Sequence, residues 1–150
     1  MFASRSQHIK EVILPALHEG KIVLCDRFTD SSEAYQGGGR KLGSEPVLEL
    51  HRILCGDFRP DLTILMDSDP VRSVERARRR NKPGKRSGHD ENRFEQESRA
   101  FFARVRNAYL AIAEREPQRV VLIDARGTIE ETHKRIKEEV ARKLRLAKSA

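Results

Sequence analysis

Asp26 and Arg27 stand side by side at the end of an apolar run, Lys21-Ile22-Val23-Leu24-Cys25-Asp26. A guanidinium offers phosphate oxygens a planar fork of donors. A carboxylate beside substrate phosphates can hold Mg2+, directly or through water. Together they suit a metal–phosphate site. The polar stretch after them ends in Tyr35-Gln36-Gly37-Gly38-Gly39-Arg40, where Gln36 presents an acceptor and a donor on one amide. A second concentration of chemistry lies further on. Between Arg72 and Arg86 there are eight basic residues (Arg72, Arg76, Arg78, Arg79, Arg80, Lys82, Lys85, Arg86) and one acid, Glu75. That window carries the whole formal net charge of +7, since the remainder holds 22 basic and 22 acidic residues. Asn81, Pro83, Gly84 and Gly88 in and just after it are loop residues. A basic loop could close over polyphosphate, hold nucleic acid, or simply be solvated. Charge this local, with only 5% aromatic residues, argues against a nucleic-acid-binding face.

The elements that must position these groups follow from periodicity. Ile9, Val12, Ile13, Ala16 and Leu17 predict one buried helix face. Pro15 is expected to kink or break that helix, and Gly20 to stop it. Lys21–Asp26 predicts a strand, and a short helix is expected near Ser31–Gln36. Val47, Leu50, His51 and Leu54 predict another helical face, ended by Gly56. Leu62–Asp67 predicts a second strand, and Asp69-Pro70 opens a helix. Phe94, Ser98, Phe101, Val105, Ala108 and Ile112 mark a long helix, Val120–Asp124 a third strand, and Ile129, His133, Ile136, Val140 and Leu144 the last helix.

Strands that alternate with helices and read as unbroken apolar runs are buried parallel strands, so the expected class is α/β. Three aspartates, Asp26, Asp67 and Asp124, would line the carboxyl rim, where open α/β sheets bind ligands. Asp67 and Asp124 read as helix caps or turn residues; Asp26, next to Arg27, does not. At 150 residues, 37% hydrophobic and 35% charged, the chain has room for one domain. No apolar run approaches the roughly 20 residues of a membrane span. Cys25 and Cys55 lack metal-ligand spacing and form no disulfide framework, which predicts a reducing, cytoplasmic setting.

The stretch Asp26-Arg27-Phe28-Thr29-Asp30-Ser31-Ser32-Glu33-Ala34-Tyr35-Gln36-Gly37-Gly38-Gly39-Arg40 resembles the signature of thymidylate kinases. Phe2-Ala3-Ser4-Arg5-Ser6-Gln7-His8 looks like that family's base-contacting helix, and Asp-Glu-Asn-Arg-Phe-Glu from Asp90 to Glu95 like the signature after its lid. The resemblance implies ATP-dependent conversion of dTMP to dTDP in dTTP biosynthesis, with Mg2+ accompanying ATP. Arg27 would bind the acceptor phosphate, while Asp26 would place Mg2+ and the attacking oxygen. Arg5 would donate to thymine O4, Gln36 would meet the O4 and N3–H edge, and Ser32 would reach the same edge. Tyr35 would wall the deoxyribose and Phe2 would stack on the base, although Phe2 stands three residues before Arg5 where the family's aromatic often stands four before. Core packing is the competing reading for Phe2 and Tyr35.

The basic segment resembles the family's lid, about residues 76–92. Its arginines would stabilise the transferred phosphoryl group, with Arg78 and Arg80 as catalytic candidates beside Arg76, Arg79 and Arg86. The implied fold is the P-loop-kinase type, three layers around a parallel sheet, and the implied assembly a homodimer. The partners are then dTMP and ATP, with no nucleic acid and no membrane. The P-loop itself, G-x-x-x-x-G-K-[ST], is absent: Gly84-Lys85 runs into Arg86, with Arg79 at the first glycine position. The chain therefore reads as truncated at the N-terminus, lacking the first two strands and the P-loop. A central strand would then be missing from the sheet, and a buried backbone group left unpaired costs about 1–3 kcal/mol. The alternatives are an inactive dTMP-binding remnant or a related nucleoside or nucleotide kinase.

Overall fold

The structure, a computed structural model, describes residues 2–68 and 99–148. The expected helix after Asp69-Pro70, the lid and its Arg78 and Arg80 lie outside the described residues. The chain divides into two compact units, Met1–Arg59 and Pro60–Ala150.

The first unit begins with α1 (Phe2–His8), which continues as a π-helical segment, π1 (Ile9–Ile13), and as α2 (Leu14–His18). Pro15 does not break this helix. In the π turn before it, the Leu14 N–H reaches back to the Ile9 carbonyl, so the helix widens where the proline ring would crowd the preceding turn. The wider turn also rotates the apolar stripe. Ile9 and Ile13 are buried as expected, but Val12 is 53% exposed and Leu17 37%. Gly20 stops the helix at φ 73°. Its N–H bonds Leu17 O at 2.9 Å and the Lys21 N–H bonds Ala16 O at 3.0 Å, the paired closure of a Schellman motif.

Residues 21–25 are not a strand. They pair with no other segment among the described residues, and Ile22 and Leu24 are 72% and 94% exposed. An extended apolar run becomes a strand only when a neighbour completes its hydrogen-bond ladder. Helix follows, longer than expected: α3 (Thr29–Ser32) runs on into π2 (Glu33–Gly39). The Leu42 and Gly43 N–H groups fold back onto Gln36 O and Gly37 O at 3.2 and 3.1 Å. That close approach explains Gly37, where a Cβ would stand 3.0 Å from Gly43 O. Next comes α4 (Ser44–Cys55), between Gly43 at φ 84° and Gly56 at φ 64°. Val47 and His51, four apart, are buried; Leu50 and Leu54 are exposed. The core of the unit is Ile9, Ile13 and Phe28, with Leu14, Val23, Cys55 and Phe58 packed against it.

In the second unit β1 (Thr63–Asp67) pairs in parallel with β2 (Val120–Asp124), from Thr63 opposite Val120 to Asp67 opposite Asp124. Parallel partners need a crossover, here including α5 (Arg99–Arg115). Phe101, Val105 and Ile112 of α5 are buried, as are Val120 and Ile123 of β2. The expected α/β class with a parallel sheet is therefore present. α6 (Ile129–Lys148) packs on β2. Its predicted stripe is largely open, with Ile129 82% exposed and Leu144 43%. A 20-residue helix is about 30 Å long and a 5-residue strand about 17 Å, so β2 can cover only part of α6.

Candidate functional site

The polar chemistry of the first unit collects around Arg5. α1 carries its side chain inward, half-buried, between two aromatic rings: the guanidinium carbon lies 5.2 Å from the centre of Phe2 and 5.3 Å from that of Phe28. Nη2 donates to Ser32 Oγ at 2.6 Å and to Phe28 O at 3.3 Å. Nη1 is buried and has no hydrogen-bond partner among the described residues. Burial lowers the Arg5 pKa, and the nearby Cys55, Cys25 and Asp30 side chains oppose that shift. The guanidinium stays charged at neutral pH. A buried charged donor with one nitrogen unengaged is unusual, because leaving it so costs free energy that an acceptor would recover.

Arg27 and Tyr35 form a second pair, with the Arg27 guanidinium carbon 5.3 Å from the ring centre. Arg27 holds φ 68°, a left-handed conformation that a side chain adopts at a cost. The Cys25 thiol is 3.5 Å from the Arg27 carbonyl and donates to it. Asp26, beside it, is exposed and makes no hydrogen bond among the described residues. Gln36 lies one turn beyond Ser32 on π2, half-buried, its amide likewise without a partner among the described residues.

Phe2, Arg5 and Ser32, three of the residues singled out in the sequence, thus meet directly, and Arg27 meets Tyr35. Two residues with a bearing on this cluster were not legible as such. His51 reads in sequence as one position of an apolar stripe, yet it is buried against Thr29 Oγ1, 3.1 Å from Nδ1, and Phe58 O, 2.9 Å from Nε2. Glu33 is 1% exposed, a buried carboxylate that nothing in its local spacing announced.

The sheet end behaves differently. Arg106 clamps Asp67 through Nε and Nη2 at 2.6 and 2.7 Å. This pairing, first through its hydrogen bonds, holds the Asp67 carboxyl below the usual range. Asp124 accepts from the Arg126 backbone N–H at 3.0 Å and from its guanidinium at 2.8 Å, making it a turn residue as expected. Among the described residues no group of three or more His, Cys, Asp or Glu could hold a metal ion. None of their helices is long and apolar enough to cross a membrane.

Parallel strands joined through a helix, with the unengaged polar groups gathered on a loop–helix segment, define an open α/β protein. Comparison with known proteins makes this more specific. A family model, Thymidylate kinase, matches residues 1–136, and the chain belongs to the thymidylate kinase family. It is 49% identical to the thymidylate kinase of Pelobacter propionicus over 138 residues, covering 92% of this chain and 62% of that protein. The thymidylate kinase of Syntrophotalea carbinolica is 50% identical over 134 residues, 89% of this chain and 61% of the relative. The crystal structure of thymidylate kinase from Ehrlichia chaffeensis superposes with a TM-score of 0.65 at 27% identity, covering 93% of this chain and 59% of that one. The chain spans about three fifths of the length of these relatives.

Proposed function

We propose that this chain carries the dTMP-binding part of an ATP-dependent phosphotransferase that makes dTDP. The observation that carries the reading is Arg5: one nitrogen of its guanidinium is fixed by Ser32 and Phe28, and the other is buried without a partner among the described residues. A pyrimidine carbonyl such as thymine O4 is an acceptor suited to that nitrogen. Gln36 offers the complementary acceptor and donor for the O4 and N3–H edge. Phe2 lies beside Arg5, where it can stack on the base. Arg27, lifted on a left-handed backbone and backed by Tyr35, would take the 5′-phosphate. Asp26 fits Mg2+ as a single carboxylate, because that ion keeps several waters and takes one or two carboxylates plus phosphate oxygens. Bound there, Mg2+ would neutralise charge on the reacting phosphates. The lid arginines, Arg78 and Arg80 foremost, would stabilise the transferred group, and the two units would serve one kinase domain. A cytoplasmic homodimer acting on dTMP and ATP accords with the family.

The test is calorimetric titration of the chain with dTMP, thymidine and dCMP. Tight binding of dTMP, about ten- to hundredfold weaker binding of thymidine for want of the charged contact to Arg27, and rejection of dCMP, which opposes a donor to Arg5, are expected. Equal affinity for dTMP and dCMP would sink the assignment of Arg5 to the base. Binding of dTMP with no phosphoryl transfer from added ATP would match a binding remnant.

A further inference from the structure

His51, on α4, is 3% exposed. Its ring meets Phe28 edge-on with centres 6.0 Å apart. Nε2 is 2.9 Å from Phe58 O, an acceptor only, so Nε2 must carry the proton. The opposite tautomer would point a lone pair at a carbonyl oxygen. Thr29 Oγ1 lies 3.1 Å from Nδ1 and 3.4 Å from Nε2; with Nε2 donating to Phe58, Nδ1 is the acceptor left for the Thr29 hydroxyl. Burial lowers the His51 pKa, as do the charges of Arg5 and Arg59, against the Phe58 carbonyl and Asp30, which raise it. The neutral ring is therefore favoured.

What His51 holds is the hinge of the site. Thr29 is the first residue of α3, and Phe28 precedes it. The Phe28 carbonyl and ring both contact Arg5, Ser32 closes the same α3 turn, and Arg27 is the next residue back along the chain. We propose that His51, as the neutral Nε2–H tautomer accepting the Thr29 hydroxyl at Nδ1, is a positioning residue that sets Phe28 and Thr29 and through them Arg5 and Ser32. This rests on the reading above only in taking that cluster as the place where dTMP binds.

Two pairs of variants separate positioning from mere packing. His51→Asn keeps an acceptor near the Nδ1 position, whereas His51→Gln reaches toward Phe58 and offers Thr29 none. Thr29→Ser keeps the hydroxyl, and Thr29→Val removes it at nearly constant volume. In the 15N-labelled chain, the His51 ring should show the Nε2–H tautomer. His51→Gln and Thr29→Val should displace the Arg5 side-chain signals and the amides of Arg27 to Ser32, and weaken dTMP about tenfold. His51→Asn and Thr29→Ser should leave both close to the unsubstituted chain. A proton on Nδ1, or losses equal within each pair and proportional to the fall in Tm, would overturn the proposal. If the unsubstituted chain fails to bind dTMP, the functional reading falls. The tautomer and the Arg5 and Arg27–Ser32 signals still decide the role of His51.

Discussion

Among the described residues of 60–150, charged groups at both ends of the sheet are engaged. Asp67 is clamped by Arg106, Asp124 by Arg126, and Arg119 reaches both Glu116 at 2.9 Å and Thr63 Oγ1 at 2.9 Å. In residues 2–59 paired charges such as Lys21 with Glu19 stand beside polar groups that are not engaged. Arg5 is sunk among aromatic rings with one nitrogen unpaired, while Gln36 and Asp26 present polar atoms without partners among the described residues. The difference separates charge that holds a fold from charge that the described residues leave unengaged. Three aspartates each stand at the end of an apolar run in sequence, and Arg27 already sets Asp26 apart from Asp67 and Asp124. Two prove to be structural, because an arginine 39 residues away or two residues away neutralises them; the third, Asp26, is left beside Arg27.

The largest test of this contrast is a cavity in the second unit. Ile112→Ala, at a side chain 1% exposed, should cost about 2–5 kcal/mol in denaturant unfolding. dTMP affinity measured where the chain remains folded should not change. A parallel fall in affinity would show that the division between the units does not hold for binding. Arg5→Met comes next: it should weaken dTMP by about 1.5–3 kcal/mol, the worth of a charged hydrogen bond, with a smaller effect on stability. If stability falls by as much as binding does, Arg5 is a structural residue like Arg106. Asp67→Asn should do the opposite, lowering stability by about 0.5–1 kcal/mol through loss of a partly exposed ion pair while leaving affinity alone.

The smallest effect lies in the pH dependence. His51 is depressed below its ordinary 6.5 when folded. Below that pH the unfolded chain takes up a proton that the folded chain refuses, so stability falls with pH until the folded pKa is reached and then levels. The groups bearing on this window are Arg5 and Arg59, which deepen it, and Asp30, which opposes it. Asp67, also depressed, contributes stability that is complete above its ordinary 3.8 and is lost as pH falls through its folded pKa. Amide exchange should therefore rise first in π1 and α4 as pH drops, and in β1 and β2 only in stronger acid. Simultaneous loss in both units would deny them separate titrations.

Local spacing explains which expectations held. Val120–Asp124 and Thr63–Asp67 are strands because short unbroken apolar runs favour parallel pairing, even with Met66 and Leu122 left exposed here. Gly20 and Gly56 end helices because only glycine adopts positive φ without a steric cost. The stretch from Asp26 to Arg40 stands out in sequence for a local reason too: it gathers polar residues and glycines in one short segment. Where expectation failed, the decision was not local. Residues 21–25 have strand composition but no ladder partner among the described residues. Val12 left the predicted stripe because a π turn changed the period.

By itself, then, the sequence determined the α/β class and the stops of its helices, and it singled out the polar segment from Asp26 to Arg40, all of which reside in neighbours a few residues apart. Only the tertiary structure decided that Arg5 would meet Ser32, 27 residues on, that His51 would reach back 22 residues to Thr29, and that Arg106 would neutralise Asp67 from 39 residues away. Periodicity encodes which face of an element is apolar. It does not encode which distant side chain will satisfy a buried donor, and that pairing is what distinguishes an engaged charge from an unengaged one.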